Sequence, residues 1–395
     1  MYLTQFLTPS VGGGEAIFYN IAKYMIKCGH GAHVICYEKK TVTNAMEPSS
    51  HISDLYRRGA KIYSIKPAID ESGTILLSYF QQLGYIINAI REGTRILRKE
   101  NISLIHANTL APVVPAYVLG KFFNIPVLTT VHHVSLGHWK FWSSQRGVSP
   151  TTSFIGPLFE RMILRLPVDM VHVVSDNTKN ELISTSANKT KITVIYNGID
   201  IEEYADERIK KDYCNYILYI GRLVITKNLS VILSAFEKVI RDLPDSRLII
   251  LGAGPMRGEW EAQSIQKNLQ KHVIFMGHVS HEVKLRLLAT CSAVILPSLL
   301  EGFGLVILEA FAMSKPVLVS NVKPLTEIVD NYVDGFLLSP HDSDVWSEKI
   351  IHLLKHKDQA MVMGNNGRRK VFEKFSLDVA LNAMKKIYLE LAATK

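Results

Sequence analysis

The apolar run Ala293-Val294-Ile295-Leu296 leads through Pro297-Ser298-Leu299-Leu300-Glu301-Gly302-Phe303-Gly304 into a helical pattern from Leu305 to Ala312 that closes before Lys315-Pro316. A short, continuous apolar run with such flanks reads as a strand buried on both faces, which is how strands of a parallel sheet look. A parallel sheet needs helical crossovers, so this one succession of strand, glycine turn and helix commits the surrounding chain to an α/β architecture. Gly302 and Gly304 let the backbone approach a ligand closely, and the free N–H groups at the helix start, around Phe303, Gly304, Leu305 and Val306, can face an anion. Glu301 precedes the helix and Glu309 lies on it; eight residues at helical rise cover about 12 Å. A carboxylate repels phosphate but accepts from hydroxyl donors, so two of them suit hydroxyls on either side of a diphosphate. Taken alone, both glutamates are also readable as solvated charges on a helix.

The same unit recurs along the chain. Leu3 to Leu7 is a strand candidate, followed by Ser10-Val11-Gly12-Gly13-Gly14-Glu15 and a helix pattern through Ala16, Phe18, Ile21, Ala22 and Met25. Gly12 and Gly13 fit an anion-facing turn or a turn that only permits close helix packing. Strand patterns follow at Ala32–Tyr37, Ile62–Ile65, Ser103–Ala107, Ile125–Val131, Val168–Ser175 and Lys191–Tyr196. Between the second and third of these lies a long amphipathic pattern from Ile75 to Leu97, with glycines at 84 and 93 where it can break. His106 and Asn108 sit at the end of one strand, and His132 and His133 at the end of another, positions that commonly line sites in parallel sheets. No third ligand stands at a sensible distance for zinc, and no paired aspartates follow a strand, so no metal is expected. Residues 201–215 are polar, as suits a crossing between domains.

The second half restarts at Tyr216–Ile220 and delivers Gly221 and Arg222 to a loop, with Lys227 just before the next helix. A guanidinium fork and a compact ammonium five residues apart form a workable clamp for two phosphates. Arg247–Leu251 leads into Gly252-Ala253-Gly254-Pro255, and Val273–Val279 is a further strand.

Charge and composition narrow the class. The chain of 395 residues carries a net charge of +9, of which +7 lies in residues 1–200. A basic first half suits an anionic lipid surface or a phosphorylated acceptor. Trp139, Phe141, Trp142, Phe154, Leu158 and Met162, interspersed with Lys140, Arg146, Arg161 and Arg165, fit a bilayer surface or an ordinary packed helix. The cluster Arg57, Arg58 and Lys61 fits the same role or a solvated face. No nucleic-acid motif accompanies the charge, so nucleic acid is not an expected partner. Four scattered cysteines form neither a disulfide framework nor a zinc set, and no apolar run reaches the length of a membrane span. The opening residues lack a basic segment before an apolar one, so no signal peptide is expected.

The pattern Ser298-x-x-Glu301-Gly302-Phe303-Gly304-x-x-x-x-Glu309-Ala310 resembles the signature of the retaining nucleotide-sugar glycosyltransferases of family 4. Matching motifs occur in both halves: Pro9-x-x-Gly12-Gly13-x-Glu15, Thr130-x-His132, Asn197-Gly198-x-Asp200, Gly221-Arg222-x-x-x-x-Lys227, Gly252-x-Gly254-Pro255 and Gly335-Phe336-Leu337-x-x-Pro340. The resemblance implies two Rossmann-like doubly wound domains facing across a cleft, the GT-B arrangement. Residues 1–200 would form the acceptor side and 201–375 the nucleotide-sugar side, with 376–395 a helix crossing back to the first domain. It assigns Arg222 and Lys227 to the donor diphosphate, Glu309 to the ribose, Glu301 and His132 to the sugar, and Gly254 and the backbone at Val279 to the nucleotide. Gly12 and Gly13 would face the diphosphate and acceptor, and Asn197 would sit at the cleft mouth.

The expected reaction transfers a hexose, with retention, from a UDP- or GDP-linked sugar to an acceptor hydroxyl. The acceptor would be a sugar or a lipid-linked glycan, the enzyme cytoplasmic or peripheral on the cytoplasmic membrane face, and no cofactor is expected. A sugar-phosphate-accepting synthase of the same fold and a non-catalytic nucleotide-sugar binding protein are the alternatives.

Overall fold

The computed structural model describes residues 1–5, 13–37, 50–65, 75–136, 150–185, 190–204 and 212–394. These form two compact units, one of Met1–Tyr196 with Leu381–Lys395 and the other of Asn197–Ala380.

The first unit holds seven strands: β1 (Tyr2–Leu3), β2 (His33–Tyr37), β3 (Lys61–Ile65), β4 (Ile105–Ala107), β5 (Val127–Val131), β6 (Met170–Val173) and β7 (Lys191–Val194). All pair in parallel, in the order β3-β2-β1-β4-β5-β6-β7. The chain works outward from β1 to β3 and then returns beside β1 with β4. The strand order therefore reverses between β1 and β4, where open α/β sheets leave a crevice at their carboxyl ends.

Side chains alternate across a strand, and here the two faces differ in chemistry. Leu3, Ile35, Ile105, Ala107, Val127, Val131, Val171 and Val173 lie in one apolar core with Tyr85, Ala89 and Ile96 of the helix Ile75–Leu97. Ala116 and Leu119 of the helix Val113–Phe123 and Ile163 of the helix Pro150–Leu164 complete this face. The helix Ile75–Leu97 runs without a break, and Gly93 has a packing reason: a Cβ there would run into the Leu119 side chain. The opposite face carries His106, Thr130 and His172, all buried, against Phe18 and the C-terminal helix Leu377–Ala393.

The second unit holds β8 (Tyr216–Ile220), β9 (Arg247–Leu251), β10 (Val273–Gly277), β11 (Ala293–Leu296), β12 (Val317–Ser320) and β13 (Gly335–Leu338). Their order is β10-β9-β8-β11-β12-β13, again all parallel, so the reversal falls between β8 and β11. The polar stretch after Asp200 is less open than its composition suggests. Ile201–Tyr204 forms a 3-10 turn whose Tyr204 is buried, while residues 205–211 lie outside the described residues. Lys315, fully buried, is held by the Asp212 carbonyl and the Tyr213 ring, 3.7 Å from its centroid. Among the described residues no helix is long and apolar enough to cross a membrane.

Candidate active site

In the second unit the reversal between β8 and β11 gathers the predicted charges. Gly221 and Arg222 follow β8, and Lys227 ends the short 3-10 turn Ile225–Lys227. The loop after β11 is tied to this turn by Leu299 N–H donating to Thr226 O at 2.8 Å. That tie brings Glu301 to Lys227, whose ammonium donates to Glu301 Oε1. Ser298, fully buried, donates to the same oxygen at 2.7 Å. The Lys227 and Glu301 side chains are 16% and 9% exposed, so water screens their attraction little. Arg222 is exposed, and among the described residues its guanidinium has no hydrogen-bond or ion-pair partner. Its backbone carbonyl accepts from the buried Tyr219 hydroxyl at 3.1 Å. A Cβ on Gly221 would lie 2.8 Å from that hydroxyl, which explains a glycine there.

Gly304 takes a left-handed φ of 97° and caps the helix Leu305–Ala312, leaving the half-buried Leu305 and Val306 in its first turn. Helix geometry leaves the N–H groups of that turn without carbonyl partners inside the helix. Glu309, on the same helix, accepts from Lys284 Nζ at 3.1 Å and from the buried Tyr204 hydroxyl. Burial first, then the Glu309 carboxylate, pushes the Tyr204 phenol far above its ordinary range, so it stays a donor. Lys284 and Tyr204 carry no motif and lie 25 and 105 residues from Glu309 in sequence; only folding brings them there.

At three motif positions packing accounts for the residue type. The Phe303 side chain is buried against Phe375, with ring centroids 6.3 Å apart in an edge-on arrangement, so it is a core residue. At Gly254 a Cβ would strike Leu223 O. The loops after β8 and β9 interlock at this point through Leu223 N–H to Ala253 O at 2.9 Å. Asn197 is buried, and the adjoining Ile199 pairs with Ser376, so this motif anchors one backbone segment on another. Val279 is half-buried between β10 and Ser280, which caps the helix His281–Thr290. Gly302 lies in the loop between β11 and that left-handed Gly304. Gly13 is the first residue of the helix Gly13–Lys27, and Gly12 lies outside the described residues. Trp139, Lys140, Phe141, Trp142 and Arg146 lie outside them as well. Two of the three cations at 57–61 are neutralised, Arg58 by Asp54 at 2.8 Å and Lys61 by Glu100 at 2.6 Å.

In the first unit His132 follows β5, and its Nε2 lies 2.9 Å from Asn108 Oδ1 at the end of β4. Burial, followed by the neighbouring His172 and His133, lowers His132 to about 3, so its imidazole is neutral near pH 7. Behind it runs a buried chain of hydrogen bonds that the sequence did not disclose. Tyr388 OH lies 2.6 Å from His106 Nδ1, His106 Nε2 lies 2.7 Å from Thr130 Oγ1, and Thr130 Oγ1 lies 2.9 Å from His172 Nδ1. His172 Nε2 ends the chain 3.0 Å from Ile195 O. A carbonyl only accepts, so His172 carries its proton on Nε2 and receives one at Nδ1 from Thr130. Thr130 then accepts from His106 Nε2–H, and Tyr388 donates to His106 Nδ1. Burial holds both imidazoles neutral, His106 well below its ordinary value and His172 at about 4.

Among the described residues no group of three or more His, Cys, Asp or Glu side chains is arranged to hold a metal ion. A cavity of about 310 Å³ lies at the amino ends of β8, β9 and β10, lined by Cys214, Tyr216, Arg247 and His272 among others, away from these groups.

Comparison with known proteins bears on the family and the fold. Residues 11–203 match the family model Glycosyltransferase Family 4, and residues 200–370 match Glycosyl transferases group 1. The chain is 25% identical to a glycogen synthase of Mycobacterium tuberculosis over 96% of its length and 91% of that protein. Its fold is similar to sucrose-phosphate synthase from Thermosynechococcus elongatus, with a TM-score of 0.81, 21% identity and coverage of 100% and 99% of the two chains. It is likewise similar to Anabaena HepE in complex with UDP-glucose, with a TM-score of 0.75, 18% identity and 98% of each chain covered. These neighbours share the GT-B fold of two parallel-sheet α/β domains. The chain is a glycosyltransferase, and it belongs to the group 1 family with a first half of the Family 4 type.

Proposed function

We propose that the chain is a retaining hexosyltransferase that moves a hexose from a nucleoside-diphosphate sugar, UDP- or GDP-linked, to an acceptor hydroxyl. The observation that carries this reading is the Lys227, Glu301 and Ser298 cluster, with Arg222 after β8 lacking a partner among the described residues, at the reversal between β8 and β11. Arg222 and Lys227 take the diphosphate as fork and point charge, and the N–H groups at the start of Leu305–Ala312 add further donors. Glu301 already accepts twice on Oε1, which leaves Oε2 for sugar hydroxyls. Glu309 takes the ribose, and His132 is assigned to the sugar. The bond from the anomeric carbon to the leaving phosphate oxygen breaks as the acceptor oxygen bonds to the same face of that carbon. The acceptor proton passes to the departing phosphate, and the two cations stabilise the charge growing there. The presence of UDP-glucose in the HepE structure supports a nucleoside-diphosphate hexose as donor.

The basic first half supports an acceptor carried on lipid phosphate or within a surface glycan, met at the cytoplasmic face of an anionic membrane. Exposed Leu158 and Met162, with Arg161 and Arg165 on and just beyond the same helix, support that location. The likeness to sucrose-phosphate synthase favours a second reading, in which the acceptor is a sugar phosphate. Neither reading calls on a resident cofactor, a metal or nucleic acid.

The test incubates the protein with a panel of UDP-, GDP- and ADP-sugars, membrane extract and free sugar phosphates. Released nucleotide and glycosylated product are then identified by mass. One donor should yield nucleoside diphosphate and a product of unchanged anomeric configuration. Binding without release would leave a nucleotide-sugar binding protein, and an inverted product would exclude retention. Exhaustive chelation should leave the rate unchanged; loss restored by one divalent ion would overturn the metal-free reading.

A further inference from the structure

Asn108 is buried, and both ends of its amide are engaged. Thr109 N–H donates to Asn108 Oδ1 at 2.8 Å, and Asn108 Nδ2 donates to Thr4 Oγ1 at 3.3 Å across the reversal between β1 and β4. A backbone N–H cannot accept, so the amide oxygen must be the atom facing Thr109, and it is the same oxygen that lies 2.9 Å from His132 Nε2. His132 must therefore donate from Nε2. In a neutral imidazole this leaves Nδ1 with a bare lone pair, and among the described residues nothing donates to it. Thr109 holds the backbone of the same residue: its hydroxyl donates to Thr130 O at 2.7 Å and accepts from His132 N–H at 3.4 Å. The end of β4 thus fixes the position, the ring orientation and the tautomer of the imidazole after β5.

We propose that Asn108 is a positioning residue that keeps the His132 proton on Nε2 and presents Nδ1 as a hydrogen-bond acceptor, so that the enzyme selects a donor sugar offering a hydroxyl hydrogen there. The proposal rests on the reading of His132 as a sugar contact. A donor whose facing hydroxyl is missing or replaced by a carboxylate leaves the lone pair unmatched or meets it with like charge. A site built to bond a hydroxyl rejects an analogue that lacks it strongly, here by at least about 30-fold in kcat/KM.

The experiment separates the proposal from the reading beneath it. Two-bond nitrogen–proton spectra of the histidine rings in the whole protein, assigned with His132→Gln, should show the Nε2–H form of His132. The Nδ1–H form would overturn the proposal whatever the activity. Asn108→Asp keeps the acceptor but adds a negative charge beside a ring whose other titratable neighbours, His172, His133 and His106, are imidazoles. That charge should restore a second ring proton below about pH 7. With the nucleotide hexose identified by the donor panel, Asn108→Asp should lose about tenfold in kcat/KM at pH 6 and recover by pH 8.5. Asn108→Ala should lose about 10- to 100-fold without that recovery. The facing hydroxyl is found with singly deoxygenated and uronate forms of the same donor, and the wild type's preference should shrink in Asn108→Ala. An Asn108→Asp profile superimposable on the wild type, at unchanged melting temperature, would also overturn the proposal. His132→Ala with undiminished donor use would remove the sugar-contact reading, while the ring spectra would still stand.

Discussion

Arg222 and Lys227 share a charge but not a setting, and their substitutions should separate accordingly. Arg222 is exposed and has no partner among the described residues, so Arg222→Ala should weaken donor binding at least about tenfold, the loss of one charge-assisted fork, with no change in melting temperature. Lys227 neutralises a carboxylate that is 9% exposed. Lys227→Ala should therefore lose donor use and also about 1–3 kcal/mol of stability, since breaking a largely buried pair strands a charge. Adding Glu301→Gln should restore much of that stability and none of the turnover. A donor affinity unchanged in Arg222→Ala, or a Lys227→Ala protein as stable as wild type, would refute the respective assignment. For Glu309→Ala the expectation is weaker binding of free nucleoside diphosphate, measured calorimetrically. Lys284 would then lose its partner, which should show as a lowered melting temperature.

Among the elements, the interlocked turns after β8 and β9 give a motif glycine a packing reason of its own. A Cβ at Gly254 meets Leu223 O, whereas a Cβ at Gly258, the second residue of the helix Arg257–Gln266, meets nothing within 4 Å. Gly254→Ala should destabilise by about 1–3 kcal/mol, as overpacking does, and Gly258→Ala should stabilise by up to about 1 kcal/mol. Urea unfolding of the two proteins checks the opposite signs. The periodic signals made the parallel strands, the glycine turns and the carboxylate pair legible, because strand burial and helix-start anion sites are written in local residue order. The partners of those carboxylates were not legible. Lys284 reaches Glu309 from another crossover helix, Tyr204 comes from a stretch that reads as polar linker, and Asn108 meets His132 only because β4 and β5 are neighbours. At Phe303 the motif fixes the backbone path, while packing against Phe375 decides where the side chain goes.

For the molecule as a whole, the buried imidazoles set an acid limit on stability. His106, His132 and His172 are all held neutral by burial, below the ordinary value near 6.5, with His132 at about 3 and His172 at about 4. On unfolding each regains that ordinary value, so between about pH 6 and pH 4 the unfolded chain binds protons that the folded one does not. Stability rises with pH wherever the unfolded state binds more protons, so this contribution is intact above about pH 6.5 and is lost as pH falls toward the folded values. Each fully shifted histidine is worth about 1.4 kcal/mol per pH unit, and ordinary carboxylates barely titrate above pH 5; the buried Met1 amine, lowered to about 5, and His33, lowered by burial, add to the same loss. Protection of the β5 and β6 amides in hydrogen exchange, corrected for the intrinsic rate, should fall between pH 6.5 and 5 with a slope of about three protons or more, the Met1 amine and His33 adding to the three rings. His172→Gln should lower the slope by about one. The same variant gives up the shared Thr130 hydrogen bond, so its protection at pH 7.5 should drop as well, separating loss of the bond from loss of the proton. A slope near zero in the wild type would mean that these rings are charged in the folded protein. The one-way chain from Tyr388 to Ile195 O, which requires both His106 and His172 to accept at Nδ1, would then fail with it.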